Sequence, residues 1–213
     1  LVVDPIRPRG AMELVEKHKC NVIICDDGLQ HYALNRDIEI VVMDGKRRCG
    51  NHLLLPAGPL REASWRLDTA DFLVLNGGLI TNGEFLMSLE AGELINVKYP
   101  NKSLSISDLR FPVTALAGIG NPQRFFTLLQ KMRVKLKDQI SFVDHHAFIK
   151  TDIPSGTVIM TEKDAVKCTQ IAHDDCWYLP VSAKLTRQFE SQLLQKLKQV
   201  TVNKNQLREN NGL

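Results

Sequence analysis

The feature that most constrains this chain is a succession of short, unbroken apolar runs, each emptying into a polar or glycine turn. Val22-Ile23-Ile24-Cys25 ends in Asp26-Asp27-Gly28, the run from Ile38 to Met43, continuous after Glu39, ends in Asp44-Gly45, and Phe72-Leu73-Val74-Leu75 ends in Asn76-Gly77-Gly78. Strands covered on both faces read this way, because neither side of the pleat meets water, whereas half-exposed strands alternate. A parallel α/β sheet is predicted. Ligands of such sheets gather at the carboxyl ends of the strands, so these turns are the places to search for chemistry.

The runs are also short. None approaches the roughly 20 apolar residues that a membrane-spanning helix requires, and no charged segment followed by an apolar one opens the chain as a secretory signal would. With 44% hydrophobic and 24% charged residues the composition excludes disordered, collagenous and coiled-coil classes, and a net charge of +3 is too small to argue for nucleic acid. Five cysteines, odd in number and without a C-x-x-C pair, read as reduced, buried thiols.

A length of 213 residues suits one domain or two small ones. A short helix over Met12 to Lys19 feeds the first apolar run. The pattern weakens between Leu79 and Phe111, where Leu94 to Val97 and Leu104 to Ile106 suggest a small antiparallel ribbon. Order returns with Val113 to Ala117 as a strand, a Gly118-Ile119-Gly120 turn, and Asn121-Pro122 opening a helix that carries Phe125, Leu128, Leu129 and Met132 on one side. Thr157 to Met160 is the next strand, and Thr161-Glu162-Lys163-Asp164 reads as a helix start of the capping-box kind. Leu185, Phe189, Leu193, Leu197 and Val200 form the apolar stripe of a last helix, after which the tail is expected to fray. The expected organisation is thus a first α/β lobe over 1–82, a linker over 83–111, a second lobe over 112–200 and a tail over 201–213.

Three clusters offer chemistry. Asp26-Asp27-Gly28 places two carboxylates and an open backbone at a strand end, the arrangement in which nucleotide-hydrolysing folds hold Mg²⁺ against phosphates, and Gln30 and His31 follow in the same loop. An ordinary Asp-Asp-Gly turn is the plain alternative. Arg47, Arg48 and the Leu55-Pro56-Ala57-Gly58-Pro59-Leu60-Arg61-Glu62 segment pair guanidinium groups, which clamp phosphate bidentately, with a rigid loop. A solvated basic turn, or a face for anionic lipid head groups, fits the same letters. Asp144-His145-His146 sets imidazole beside carboxylate, as proton transfer near neutral pH requires; a structural Asp-His turn or a metal-dependent phosphoesterase site are its alternatives.

Taken in order, these blocks resemble one family. Asp26-Asp27-Gly28-Leu29-Gln30-His31-Tyr32, Arg36-Asp37-Ile38-Glu39-Ile40-Val41-Val42, Asp44-Gly45, Leu55 to Glu62, Asn76-Gly77-Gly78, Ala117-Gly118-Ile119-Gly120-Asn121-Pro122, Asp144-His145 and Met160-Thr161-Glu162-Lys163-Asp164-Ala165-Val166-Lys167 are similar to the tetraacyldisaccharide 4'-kinases of lipid A synthesis. The resemblance runs to about Pro180. It implies a P-loop-kinase-like parallel sheet lobe, here incomplete, and a second small α/β lobe joined by a β-ribbon. It implies ATP and Mg²⁺ as cofactor and metal, a tetraacyldisaccharide 1-phosphate lipid as acceptor, peripheral contact with a membrane surface and no nucleic acid. The implied location is the cytoplasmic face of the bacterial inner membrane. By the same resemblance Asp26 and Asp27 are the Mg²⁺-linked acids, Gln30 and His31 line their site, Arg61 and Glu62 lie near the nucleotide, and His145 matches a histidine that pairs with an upstream aspartate to activate the sugar hydroxyl. Asp27 and His145 are then the catalytic residues.

The departures are as informative. No G-x-x-x-x-G-K-[ST] occurs, since Gly45-Lys46 lacks the upstream glycine and is followed by Arg47, and Cys49 and His52 replace the aromatic and glycine usual in the family. The expectation is a C-terminal piece of the enzyme, inactive alone, with phosphate loop, upstream aspartate and membrane anchor preceding Leu1. A metal-dependent phosphoesterase and a non-catalytic nucleotide- or anion-binding module are the alternatives.

Overall fold

The computed structural model describes residues 1–210 in backbone and 1–204 in side chain; the last part of the expected tail, 211–213, lies outside the described residues. The chain divides into two units: residues 1–88 with 185–213, and residues 89–184. It passes out of the first unit and back along β-strands, so the first unit is built from two stretches of chain and the second from one. The last helix therefore groups with the first unit rather than with the second lobe expected over 112–200.

In the first unit, helix α1 (Arg7–Glu16) starts earlier than the expected Met12, because Pro8 in its first turn is preset for helical φ. Strands β1 (Ile40–Asp44), β2 (Phe72–Asn76) and β3 (Glu84–Ala91) pair in parallel, Ile40 opposite Phe72 and Leu73 opposite Glu84. Val22 to Cys25, expected as a strand, is unpaired, with Val22 and Ile24 exposed and Cys25 exposed with them. An apolar run acquires strand geometry only where a neighbour supplies ladder hydrogen bonds, and no described strand lies beside this one. The turns after β1 and β2 pack backbone on backbone. A Cβ at Gly45 would stand 1.8 Å from the Gly77 carbonyl oxygen, and Gly78 adopts φ +77°, so side chains are excluded at both positions.

Phe72 and Phe85 meet Phe189 edge-on, with ring centroids 5.3 Å and 5.4 Å from it, and Leu185 and Leu193 close the cluster. Phe189 belongs to α4 (Arg187–Asn210), which continues through the region expected to fray. Lys196 Nζ bonds Asp71 at 2.6 Å and Lys204 Nζ bonds Asp37 at 2.6 Å, tying the polar part of the helix to the unit.

The second unit holds a six-stranded sheet: β4 (Leu94–Asn96), β5 (Ser103–Leu104), β6 (Val113–Ala117), β7 (Leu136–Ser141), β8 (Val158–Thr161) and β9 (Cys176–Leu179), in the order β5-β4-β9-β8-β6-β7. The expected ribbon is the antiparallel β4–β5 pair, Leu94 opposite Leu104. β7-β6-β8-β9 are parallel. Strand β10 (Val181–Leu185) leaves this unit and joins the first sheet beside β3.

The continuous apolar strands of this unit have the predicted cause. Val113, Ala115, Ala117 and Ile159 face helix α2 (Pro122–Lys131) with its Phe125, Phe126 and Leu129. Leu116, Val158 and Met160 face the other way, against Phe148 and against Ala165 and Cys168 of α3 (Glu162–Cys168). Each fully buried Val or Leu contributes about 1.5–3 kcal/mol, so the two-sided cover is the main source of cohesion. Burial also lifts the Cys168 and Cys176 thiols to about 12 and about 11, which leaves both protonated and unreactive; Cys49 is buried too, whereas Cys20 is half-buried and Cys25 exposed, against the expectation of five buried thiols.

Replacing Phe189 by Ala should cost about 3–5 kcal/mol. Hydrogen exchange checks the assignment of α4: amides of β2 and β3 should lose protection in the variant, while those of β6 and β8 keep theirs.

Candidate active site

The first unit gathers its chemistry on two loops. Asp27, at φ +48°, turns the chain out of the unpaired 21–25 segment, and the His31 N–H donates to the Gly28 carbonyl at 3.1 Å to close the following turn. Arg61 comes from the loop before the short 3-10 helix Ser64–Thr69 and sets Nη1 3.3 Å and 3.4 Å from the two Asp27 carboxylate oxygens. The Tyr32 hydroxyl donates to Glu62, which also lies 4.0 Å from Arg66. Arg36 donates to the Gly28 carbonyl at 3.1 Å and covers the Tyr32 ring at 5.4 Å. Two loops 34 residues apart in sequence are thereby stitched together, Asp27 to Arg61 and Tyr32 to Glu62.

Asp26, Gln30 and His31 ride on the same turn and are exposed, and Asp26 makes no hydrogen bond or ion pair among the described residues. The donor set suits Mg²⁺, which takes one or two carboxylates and keeps its remaining positions for water and phosphate oxygens. Among the described residues no three His, Cys, Asp or Glu side chains come together as an all-protein metal cage. Tyr32 and Arg36 stand in the sequence blocks that carry the family resemblance, without a role attached to them, and Arg66 stands in none. Arg66 at 2.6 Å holds the Glu39 carboxyl below the usual carboxylate range, with Arg36 adding to it.

Arg48 has a different task from the one its type allowed. Its guanidinium grips Glu84 at 2.7 Å and 3.0 Å and bonds the Leu79 carbonyl at 2.7 Å, so it clamps the β2–β3 connection rather than presenting itself to phosphate.

In the second unit the active-site candidates sit at the carboxyl ends of three adjacent parallel strands, β7, β6 and β8. After β7, Asp144 Oδ1 accepts the His145 N–H at 3.0 Å and the Lys163 ammonium at 3.0 Å. His145 stands at φ +62° with its imidazole exposed, Nε2 being 3.8 Å from Asp144 Oδ2. The Lys163 ammonium, first of all, keeps the Asp144 carboxyl below its ordinary value. His146 turns the other way. Its ring stacks on Phe142 at 4.4 Å, meets Phe148 edge-on, and bonds Asp152 at 2.9 Å. The adjacent histidines therefore have separate jobs, one presented and one packed.

Beside them Asp164 is fully buried and takes the Gly118 N–H at 2.8 Å, the Thr161 hydroxyl at 2.7 Å and Lys167 at 3.2 Å. Thr161 accepts the Asp164 N–H at 3.2 Å, so half of the predicted capping box forms; the acid side chain serves the neighbouring strand end instead of the cap backbone. A Cβ at Gly118 would come 3.2 Å from Asp164 Oδ1 and 3.0 Å from the Phe148 ring, so glycine is what lets the carboxylate reach that amide.

Two largely parallel β-sheets with helices packed on them define an α/β protein, the class in which ligands gather at the carboxyl ends of strands. The chain belongs to the family described as tetraacyldisaccharide-1-P 4'-kinase, which it matches over residues 1–198. It is 62% identical over 200 residues to the tetraacyldisaccharide 4'-kinase of Pseudoalteromonas atlantica, covering 94% of this chain and 66% of that protein. To the Shewanella frigidimarina protein of the same name it is 48% identical over 208 residues, covering 96% of this chain and 62% of the relative. The chain thus spans slightly less than two thirds of these relatives. A crystal structure of Aquifex aeolicus LpxK in complex with ATP superposes with a TM-score of 0.70 at 27% identity, covering 93% of this chain and 63% of that one.

Arg48 draws the Glu84 carboxyl from 4.5 down to about 2. A carboxyl that is more acidic folded than unfolded adds stability wherever it is ionised in both states, above about pH 4.5, and that contribution is lost as pH falls through 2. Chemical denaturation at stepped pH checks this: Glu84→Gln should be less stable than wild type at pH 7, and the gap should close as the acid limit is approached.

Proposed function

We propose that the protein to which this chain belongs transfers the γ-phosphoryl group of ATP to the 4' hydroxyl of a tetraacyldisaccharide 1-phosphate lipid, using Mg²⁺. The observation that carries this reading is the Asp26-Asp27 turn, fastened through Asp27 to Arg61, in a chain of this family. Its Aquifex relative was crystallised with ATP. Transfer forms a bond from the 4' oxygen to the γ-phosphorus, breaks the bridge to the β-phosphate, releases ADP and removes the hydroxyl proton. Little covalent chemistry falls to the protein, so positioning and charge stabilisation dominate.

Asp26 and Asp27 are the groups that would hold Mg²⁺, which when bound neutralises charge on the phosphates. Arg61 already fixes one of these acids and offers a cation on the same face, while Glu62, held by Tyr32 and Arg66, gives that loop a defined conformation. Gln30 and His31 supply hydrogen-bonding groups to the same loop. His145 acts on the acceptor, polarising its hydroxyl. A peripheral location at the cytoplasmic face of the inner membrane suits a lipid acceptor, and among the described residues no helix is long and apolar enough to cross a membrane.

A phosphoesterase built on Asp144-His145-His146 and Asp26-Asp27 is not favoured. Asp144 is engaged by Lys163 and His146 by Asp152, which leaves a single free imidazole where a metal site needs several ligands.

The test uses the full-length protein with Mg²⁺-ATP and the lipid disaccharide. Asp26→Asn and His145→Asn, the latter chosen because asparagine tolerates the left-handed backbone, should each lower kcat by about 100-fold or more with unchanged circular dichroism. Undiminished turnover in both variants would remove these assignments.

A further inference from the structure

Lys163 is out of place by local rules. It sits in the first turn of α3, where the positive end of the helix dipole disfavours a cation, and its side chain is half exposed. A local rule broken without a stabilising return marks a position held for another purpose. The ammonium reaches across to the β7 loop and shares Asp144 Oδ1 with the backbone N–H of His145. That N–H opens a non-glycine residue in the left-handed region, a conformation that persists only when its surroundings hold it. The contact joins the carboxyl ends of β7 and β8, strands separated by β6 in the sheet.

We propose that Lys163 is a positioning residue for His145: it anchors the Asp144 carboxylate, which fixes the left-handed turn at His145 and lies beside its imidazole. This rests on the reading of His145 as the group that acts on the acceptor hydroxyl. A surface ion pair of this kind adds little to stability, so its return must be sought in orientation and in local charge. Among the described residues His145 pairs with Asp144 of its own loop, and Asp144 pairs in turn with Lys163 of α3. The remaining charges of the cluster are paired among themselves, Asp164 with Lys167 and Asp152 with His146. Asp144 and Lys163 therefore act on His145 with opposite sign. Without Lys163 the carboxylate is uncompensated and favours imidazolium; without the Asp144 charge, Lys163 disfavours it.

The experiment follows the imidazole signals of the full-length protein by NMR across pH, with His145 assigned by its absence in His145→Asn, and measures kcat and KM for the same variants. The His145 titration should move to higher pH in Lys163→Met and to lower pH in Asp144→Asn, with Lys163→Arg close to wild type. In step with it, kcat should fall about 10-fold in Lys163→Met with KM changed by less than about 2-fold, recover in Lys163→Arg, and show its acid limb displaced upward. Titration curves that move in the same direction or not at all in folded variants would overturn the proposal. Oppositely displaced curves alongside undiminished turnover in His145→Asn would leave the local geometry standing and overturn instead the reading of His145 on which its catalytic meaning depends.

Discussion

The constraint on which the second unit depends is the carboxylate of Asp164, a charge placed where no water reaches it. Such a group is tolerated only if its lone pairs are filled and its charge matched, and here an amide from the end of β6, a hydroxyl from the end of β8 and the Lys167 ammonium do so. Satisfying it pins two neighbouring strand ends to one another. The same turn of helix that carries Asp164 also carries Lys163, one residue earlier, and so delivers the ammonium to the β7 loop. The buried acid sets the frame and the exposed residues on it are free to meet a ligand.

The first unit solves a comparable problem with different means. Its candidate site turn has no sheet beneath it: Val22 to Cys25 lies unpaired and partly exposed, and Asp26 to His31 follow it on the surface. What holds the turn is a string of side-chain links, Asp27 to Arg61, Tyr32 to Glu62, and Arg36 to Glu39 and the Gly28 carbonyl. Links of this type are individually weak in water, and segments that rely on them open more readily than packed strands do. The proposed nucleotide contact would fall on this more compliant turn, whereas His145 of the second unit follows a paired strand.

Much of this arrangement was legible beforehand, and for a reason. The strands Val113–Ala117 and Val158–Thr161 announced themselves because burial on both faces forces unbroken apolar runs, and α2 because Pro122 and an apolar stripe follow a turn. Residues 22–25 carry the same signature without the outcome, since pairing needs a second strand and composition speaks only for the first. Leu136–Ser141 went unnoticed because β7 is an edge strand with Lys137, Asp138 and Gln139 exposed, and edges are kept polar. Arg48 and Arg61 are alike as letters, and only the position of Glu84 makes one structural and the other available.

By itself the amino-acid sequence determined the α/β class, the family and the short blocks proposed to carry chemistry, because hydrophobic period, turn residues and motif spacing are local properties that survive without a fold. Tertiary structure alone decided which of two adjacent histidines is presented and which is packed, where the last helix docks, and which carboxylate the lysine at the start of α3 reaches. Those outcomes depend on partners tens of residues away, and distance along a chain says nothing about distance across a sheet.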